Sequence, residues 1–453
     1  HGVIENSQLF QMNMPAIRIS QKGNPQVRHC QIYDLKSNSI YIDDKGQGTF
    51  EDCQIYNFED SPAIVIEKQG DPVIRRCSIT NGKNPGIFVT GEGFGTFEEC
   101  ELSGFHNSPA IAIKDKSNPH FRHTKVYSGN GVSCYEKGLG TFDSCEFFDM
   151  ENPAIHVVEK GNPSFHECKI YRCKKIAVYI DENSSGTLDK CDIFQVGDQP
   201  AIVINQGSNP VLRNFTLRDC KGVGIYVDEE SQGTLEDGIL SGFQKPAIII
   251  SNKSDPTLRR LEFTSCHANG IYINNNGQGN IEDCTLHHFE RYPAIVIEGD
   301  CDPLIRRTSI HDSDSPGLFI TENGKGRIEE CTFSNFKGSP AVLIDRGSDP
   351  LLLKCKIHNC QSTGIYVDDQ GEGKILNCEL SGFEGYPAIE ITDFSDPLIR
   401  ECIIRNGTEV GVVITGNSSG TLENCYIYGF IKDDIYVSVN SDPIIEGCDQ
   451  KIH

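Results

Sequence analysis

Nowhere does the chain string together the roughly 18 apolar residues that a membrane-spanning helix requires, which excludes insertion by a helix. Tryptophan is missing altogether, and 44 glycines and 21 prolines beside a hydrophobic content of 37% describe a soluble chain rich in turns. Basic residues are outnumbered, 41 against 64 acidic ones, and the net charge of -23 repels phosphate backbones. Nucleic acid is not the expected partner. The opening residues lack a basic segment followed by an apolar one, so no leader is legible. There is no phosphate-cradling loop ending in Gly-Lys-Ser/Thr, no His-Glu-x-x-His and no calcium-binding nonapeptide array. Nor do the cysteines form repeated close pairs with partner histidines. No cofactor and no metal is expected.

What the chain does contain is a repeat. Asn-Pro or Asp-Pro begins at Asn24, Asp71, Asn118, Asn162, Asn209, Asp255, Asp302, Asp349, Asp396 and Asp442, with spacings of 44 to 47 residues. Each unit holds two similar coils of about 23 residues, aligned by a ladder that runs through Cys30, Cys53, Cys77, Cys100, Thr124 and Cys145 and on to Cys425 and Cys448. Three short alternating segments per coil, separated by Gly, Pro, Asn and Asp, predict three strands per turn. A helical reading fails, because no segment sustains a 3.6-residue period and proline recurs in every coil. The fold expected is all-β, a single right-handed parallel β-helix of about 19–20 coils over residues 1–453. Neither end shows a cap, so the chain reads as part of a longer protein.

The 20 cysteines recur mostly once per coil, the behaviour of a small buried hydrophobe stacked on its own copy. Unpaired thiols fit a reducing compartment, and an intracellular, cytoplasmic location is expected. Five residues after the ladder, Phe58, Phe105, Phe243, Phe289, Phe336, Phe383 and Phe430 alternate with smaller residues such as Cys173, Cys220, Cys266 and Cys360, a pairing of large over small that fills a core. Two residues before the ladder, Arg28, Glu51, Arg75, Glu98, Arg122 and Asp143 alternate in sign and should pair from coil to coil. Leu353 and Leu376 interrupt that series.

The leading candidate for function is an outward strip. In Ile40-Tyr41-Ile42-Asp43, alternation turns the isoleucines inward and Tyr41 and Asp43 outward. Matching positions hold Phe88, Tyr179, Tyr226, Tyr272, Phe319 and Tyr366, with Val65, Val203, Ile249, Val296 and Leu343 between them. Asp181, Asp228 and Asp368 flank the rings as Asp43 does. Such a strip suits a protein partner, or a sugar chain stacking on the rings, or a covering segment. The main departure from the repeat is the short unit around Gly129-Asn130-Gly131-Val132-Ser133-Cys134-Tyr135-Glu136, where Ser133 stands in place of an aromatic and His156 follows in the next coil. Ser133, Cys134, Glu136 and His156 can be combined on paper into a nucleophile and base, but the departure is read here as an irregularity of shape.

The combined motif Asn/Asp-Pro-x-Ile-Arg-x-Cys-x-Ile, Gly-Ile-Tyr-Val and Gly-x-Gly-Thr-Phe/Leu-Glu-Asp-Cys resembles the β-helix repeats of carbohydrate-binding proteins and sugar hydrolases. It is most similar to those of the F-box-only ubiquitin ligase receptors and their bacterial relatives. The resemblance spans essentially the whole chain and implies a recognition helix, with no helical F-box segment present here. The catalytic set of the polygalacturonase-like hydrolases has no counterpart. The expectation is therefore a non-catalytic protein-recognition or scaffolding rod. The alternatives are a polysaccharide-binding or polysaccharide-modifying β-helix, and a purely structural component of a large assembly.

Overall fold

The computed structural model describes residues 2–450, which fall into two compact units that divide after Gly222. Both are all-β, and the chain is a right-handed parallel β-helix of about 19 turns with short strands in every coil. In the first unit one coil consists of Thr49–Glu51, Gln54–Phe58 and Ile64–Ile66. These pair in parallel with Val73–Arg75, Ser78–Thr80 and Ile87–Val89 of the next coil. In the second unit Thr257–Arg259, Glu262–Thr264 and Ile271–Ile273 pair in the same way with Asn280–Glu282, Thr285–His287 and Ile295–Glu298. The three faces are called sheets A, B and C in that order. Among the described residues no helix is long and apolar enough to cross a membrane.

Strict alternation builds the core. In sheet A the middle residue of each strand points inward, and Phe97, Phe121, Phe142 and Phe165 stack at centroid distances of 4.6 to 4.8 Å. The cysteine ladder lies at the corner between sheets A and B. The Cys53 thiol donates to the Val27 carbonyl of the preceding coil, and the Cys53 amide lies 3.4 Å from Cys77 Sγ in the following one. All 20 cysteines are free, and all are buried except Cys448. The phenylalanines five residues further on, from Phe58 to Phe383, are buried as expected.

On the outer side of sheet A the charge series pairs between coils. Arg28 Nε lies 3.1 Å from Glu51 Oε2, and Arg75 Nε lies 2.7 Å from Glu98 Oε2. In the second unit Glu282 is the most enclosed member of the series and meets Arg259, Arg306 and Arg307. Leu353 and Leu376 stand in register where the charges are interrupted, and the series resumes with Arg400 and Glu423, 2.7 Å apart. The Gly-x-Gly pairs occupy turns, as Gly46 and Gly48 do between Ile40–Ile42 and Thr49–Glu51.

One coil breaks the pattern. Lys125–Cys134 is a single ten-residue strand that runs from sheet B directly into sheet C. Its neighbours make a turn at that corner. The short 44-residue spacing from Asn118 to Asn162 is thereby explained: the residues missing from the repeat are those of a corner turn.

Candidate functional site

The strip residues lie where alternation put them, at the outward middle position of sheet C. In the first unit Tyr41 pairs in register with Val65 and Val65 with Phe88, and Tyr179 pairs with Val203. In the second unit Tyr226, Ile249, Tyr272, Val296, Phe319, Leu343, Tyr366 and Glu390 follow one another coil by coil. The valines between the rings are only 5–7% exposed although they face outward; Val65 stands between Tyr41 and Phe88, and Val296 between Tyr272 and Phe319. The rings themselves are half-buried.

The flanking acids are engaged within the chain. Asp43 is 5% exposed and accepts from Arg18 at 3.0 Å, and Asp181 is 8% exposed and accepts from the Tyr179 hydroxyl at 3.0 Å. The Tyr41 hydroxyl donates to Glu67 at 2.7 Å, and that of Tyr272 donates to Glu298. Burial, followed by the neighbouring carboxylate, pushes Tyr41 and Tyr272 up to about 12. Tyr366 also rises to about 12, through burial and then the charges of Asp368 and Glu390. Tyr226 is raised by burial and by Asp228, whose carboxylate accepts from Asn252 at 2.6 Å. Burial raises Asp368 as well.

The missing corner turn opens a notch in the first unit beside this strip. A cavity of about 430 Å³ is lined by Asn130, Ser133, Asn152, His156, Ile176 and Tyr179, among others. The backbone is tight behind it: a Cβ on Gly131 would lie 1.9 Å from the Ala154 carbonyl oxygen, and Gly129 has φ +149. Only glycine fits at residue 131. Ser133 pairs in register with His156, and His156 pairs with Tyr179. The His156 and Tyr179 rings lie 5.5 Å apart. Along the rim Lys175 Nζ donates to Asn152 Oδ1 at 3.1 Å, Asn152 Nδ2 to Asn130 Oδ1 at 2.8 Å, and Asn130 Nδ2 to the His106 carbonyl at 3.2 Å.

Burial lowers the pKa of His156 below its ordinary value, and the charges of Asp181 and Glu182 only partly oppose this. The imidazole is neutral near pH 7 and can accept a proton. Of the four residues that combine on paper into a nucleophile and base, Ser133 and His156 come together. Cys134 points into the core with its thiol pushed far up by burial, and Glu136 turns away to Lys114 at 3.1 Å. Among the described residues no three His, Cys, Asp or Glu side chains are grouped to hold a metal ion.

Sheet B carries a feature that the sequence reading overlooked. Tyr127, Phe148, Tyr171 and Phe194 stack outward at 4.9 to 5.2 Å, and Arg218 covers the last ring at 4.2 Å. The signal was present as an aromatic residue three positions after the ladder in four consecutive coils. These rings cover one another's faces and offer a ligand only their edges, so they are a poorer platform for a sugar than Tyr179.

The right-handed beta helix region model matches residues 1–126, 109–254, 246–369 and 340–450. None of the curated proteins matches the chain. Among solved structures it is similar to the periplasmic alginate epimerase AlgG, with TM-score 0.38 and 9% identity over 75% of this chain and 78% of that one. It is also similar to the catalytic domain of a GH87 α-1,3-glucanase in complex with tetrasaccharides, with TM-score 0.38 and 11% identity over 74% and 65%. A third is the A-module of the Azotobacter vinelandii mannuronan C-5 epimerase AlgE4, with TM-score 0.30 and 10% identity over 86% and 88%. At these identities the likeness concerns the fold. It corrects one expectation all the same: an epimerase and a glucanase are among the structures of similar fold, so the chain is not set down as non-catalytic. The chain belongs to the right-handed β-helix family.

Proposed function

We propose that this protein binds a polysaccharide along the outward face of sheet C and acts on it at the notch of the first unit. The observation that carries the reading is the neutral His156 imidazole in a cavity of about 430 Å³, against the Tyr179 ring and below the Asn130 and Asn152 amides. An aromatic wall holds the apolar face of a sugar ring, amides exchange hydrogen bonds with its hydroxyls, and a neutral imidazole takes up a proton. The half-buried rings of the first-unit strip, Tyr41, Phe88 and Tyr179, would carry the sugars beside the one acted upon.

A second reading rests on the aliphatic residues Ile249 and Leu343 that alternate with the rings of the strip in the second unit. Such a surface suits an extended protein segment. The free thiols do not decide the compartment. All but Cys448 are buried, and burial pushes thiols such as Cys100 and Cys173 up, so their unpaired state requires no reducing environment.

The test is a glycan array followed by incubation with the glycans retained, scored for new reducing ends, unsaturated products and exchange of ring protons with solvent. His156→Ala should abolish turnover and leave binding largely intact. Tyr179→Ala should weaken both. A folded protein that retains no glycan, while a Tyr226→Ala, Tyr272→Ala, Phe319→Ala variant loses a protein captured from lysate, would favour the second reading.

A further inference from the structure

We propose that two copies of this chain associate face to face through sheet A of the second unit, about a two-fold axis that passes between Leu353 and Leu376. The inference concerns a different face from the one read as a glycan site and does not depend on that reading. In the charge series from Glu5 to Glu446, Leu353 and Leu376 are the only aliphatic members. Coil by coil, this outward column of the second unit runs Arg306, Glu329, Leu353, Leu376, Arg400 and Glu423. The other outward position of the same strands places Leu351 beside Leu353 and Leu398 beside Arg400. All four leucines are partly exposed. Aliphatic side chains therefore meet solvent on a face where the series otherwise sets charge against charge, and apolar surface left in water favours a partner that covers it.

The order of the column selects the partner. Rotation by a half-turn about an axis that lies between two such faces, parallel to the strands, reverses the order of the coils and keeps positions along each strand unchanged. Leu353 then meets Leu376 of the second copy, Glu329 meets its Arg400, and Arg306 meets its Glu423, each of them twice by symmetry. The contact is apolar at the centre and opposite in charge on both sides. At the other outward position Leu351 faces the methylene stem of Lys374, whose ammonium turns to Asp349 at 3.6 Å. At the exposed corner Glu330 comes opposite Glu401 of the second copy, with Lys354 in the next coil to offset the repulsion. A ladder of alternating sign matches its own reverse about any axis midway between two coils, but only here is the middle apolar, and a desolvated centre is what anchors an interface. The flanking charges are accessible, the Glu329 and Arg400 side chains being 22% and 43% exposed. Each chain carries -23, so two copies repel except where charges match locally, and this column supplies the match. Six coils about 4.8 Å apart span roughly 24 Å, a small interface, so the dimer is weak and reversible.

The experiment is equilibrium sedimentation of the full chain from about 1 to about 500 μM, a range that resolves weak association. The wild type should pass from monomer to dimer within it. Leu353→Thr combined with Leu376→Thr keeps the β-preference of an outward strand position and should weaken the dimer by roughly tenfold or more. Glu329→Arg and Arg400→Glu, each alone, should abolish it, because like charges then meet twice. An equimolar mixture of these two variants should dimerise again, since every pair across the contact is once more of opposite sign. The residues are on the surface, so the variants should fold, and matched melting curves check this. A wild type that stays monomeric over the whole range overturns the inference. So does a dimer that the leucine variant leaves unchanged, which would lie at another surface, and so does a mixture that fails to recover what each charge variant lost.

Discussion

The Tyr179 hydroxyl donates to Asp181 Oδ2 at 3.0 Å while the Tyr179 ring lies 5.5 Å from that of His156, so a carboxylate reaches the imidazole through the ring's environment without touching it. Burial dominates the result and keeps the folded pKa of His156 below 6.5, with Asp181 and Glu182 pulling the other way. Asp181→Asn removes one of those charges and should lower the His156 pKa further, read from the ring proton shifts in an NMR titration. An upward shift would show that burial is not the controlling influence. Stability follows the same sign. Below pH 6.5 the unfolded chain binds a proton that the native imidazole refuses, so stability falls as pH drops through 6.5 and levels off below the folded value.

Gly131 is fixed by contact, not by an unusual φ. A Cβ there would lie 1.9 Å from the Ala154 carbonyl oxygen, a backbone atom that cannot swing aside. Gly131→Ala should cost about 1–3 kcal/mol, as overpacking does elsewhere, and should distort the notch. The measurement pairs a melting curve with binding at the cavity. A variant of unchanged stability would mean that the ten-residue strand Lys125–Cys134 runs differently from the way described.

Much of this architecture is legible in the residues alone, and for a physical reason. A solenoid repeats its local rule, so Cys53 over Cys77 or Tyr41 beside Val65 follows once the register is known. What repeats cannot disclose is what happens where they fail. The spacing of 44 residues announced a deletion, but nothing in the sequence told whether the lost residues came from a strand or a corner, and only a lost corner opens a cavity. The acids beside the strip misled in the opposite direction. Asp43 and Asp181 read as free recognition groups in the sequence and prove to be held by Arg18 and by Tyr179, since burial beside a donor leaves a carboxylate little choice.

Thiol reactivity offers a direct check on the ladder. Every cysteine but Cys448 is buried, and burial, followed by hydrogen bonds that only partly oppose it, pushes Cys100 up to about 11. A colorimetric thiol reagent at pH 8 should therefore titrate at most one thiol in the native protein and all 20 after denaturation. Rapid labelling of many thiols in the folded protein would place the ladder on the surface.

The strip tyrosines make a last, alkaline prediction. Tyr41, Tyr272 and Tyr366 are each pushed up to about 12, through burial and adjoining carboxylates. Their folded values lie above the ordinary 10, so the stability that they contribute is fully present below pH 10 and is lost as pH rises through about 12. Phenolate absorbance should appear in two waves, the later one belonging to these side chains. Tyr41→Phe should shrink the later wave and, by removing the hydrogen bond to Glu67, cost about 1 kcal/mol at neutral pH. A single wave near pH 10 in a protein still folded by circular dichroism would mean that the rings stand in open solvent, and with that the case for a half-buried strip that grips a ligand would be lost.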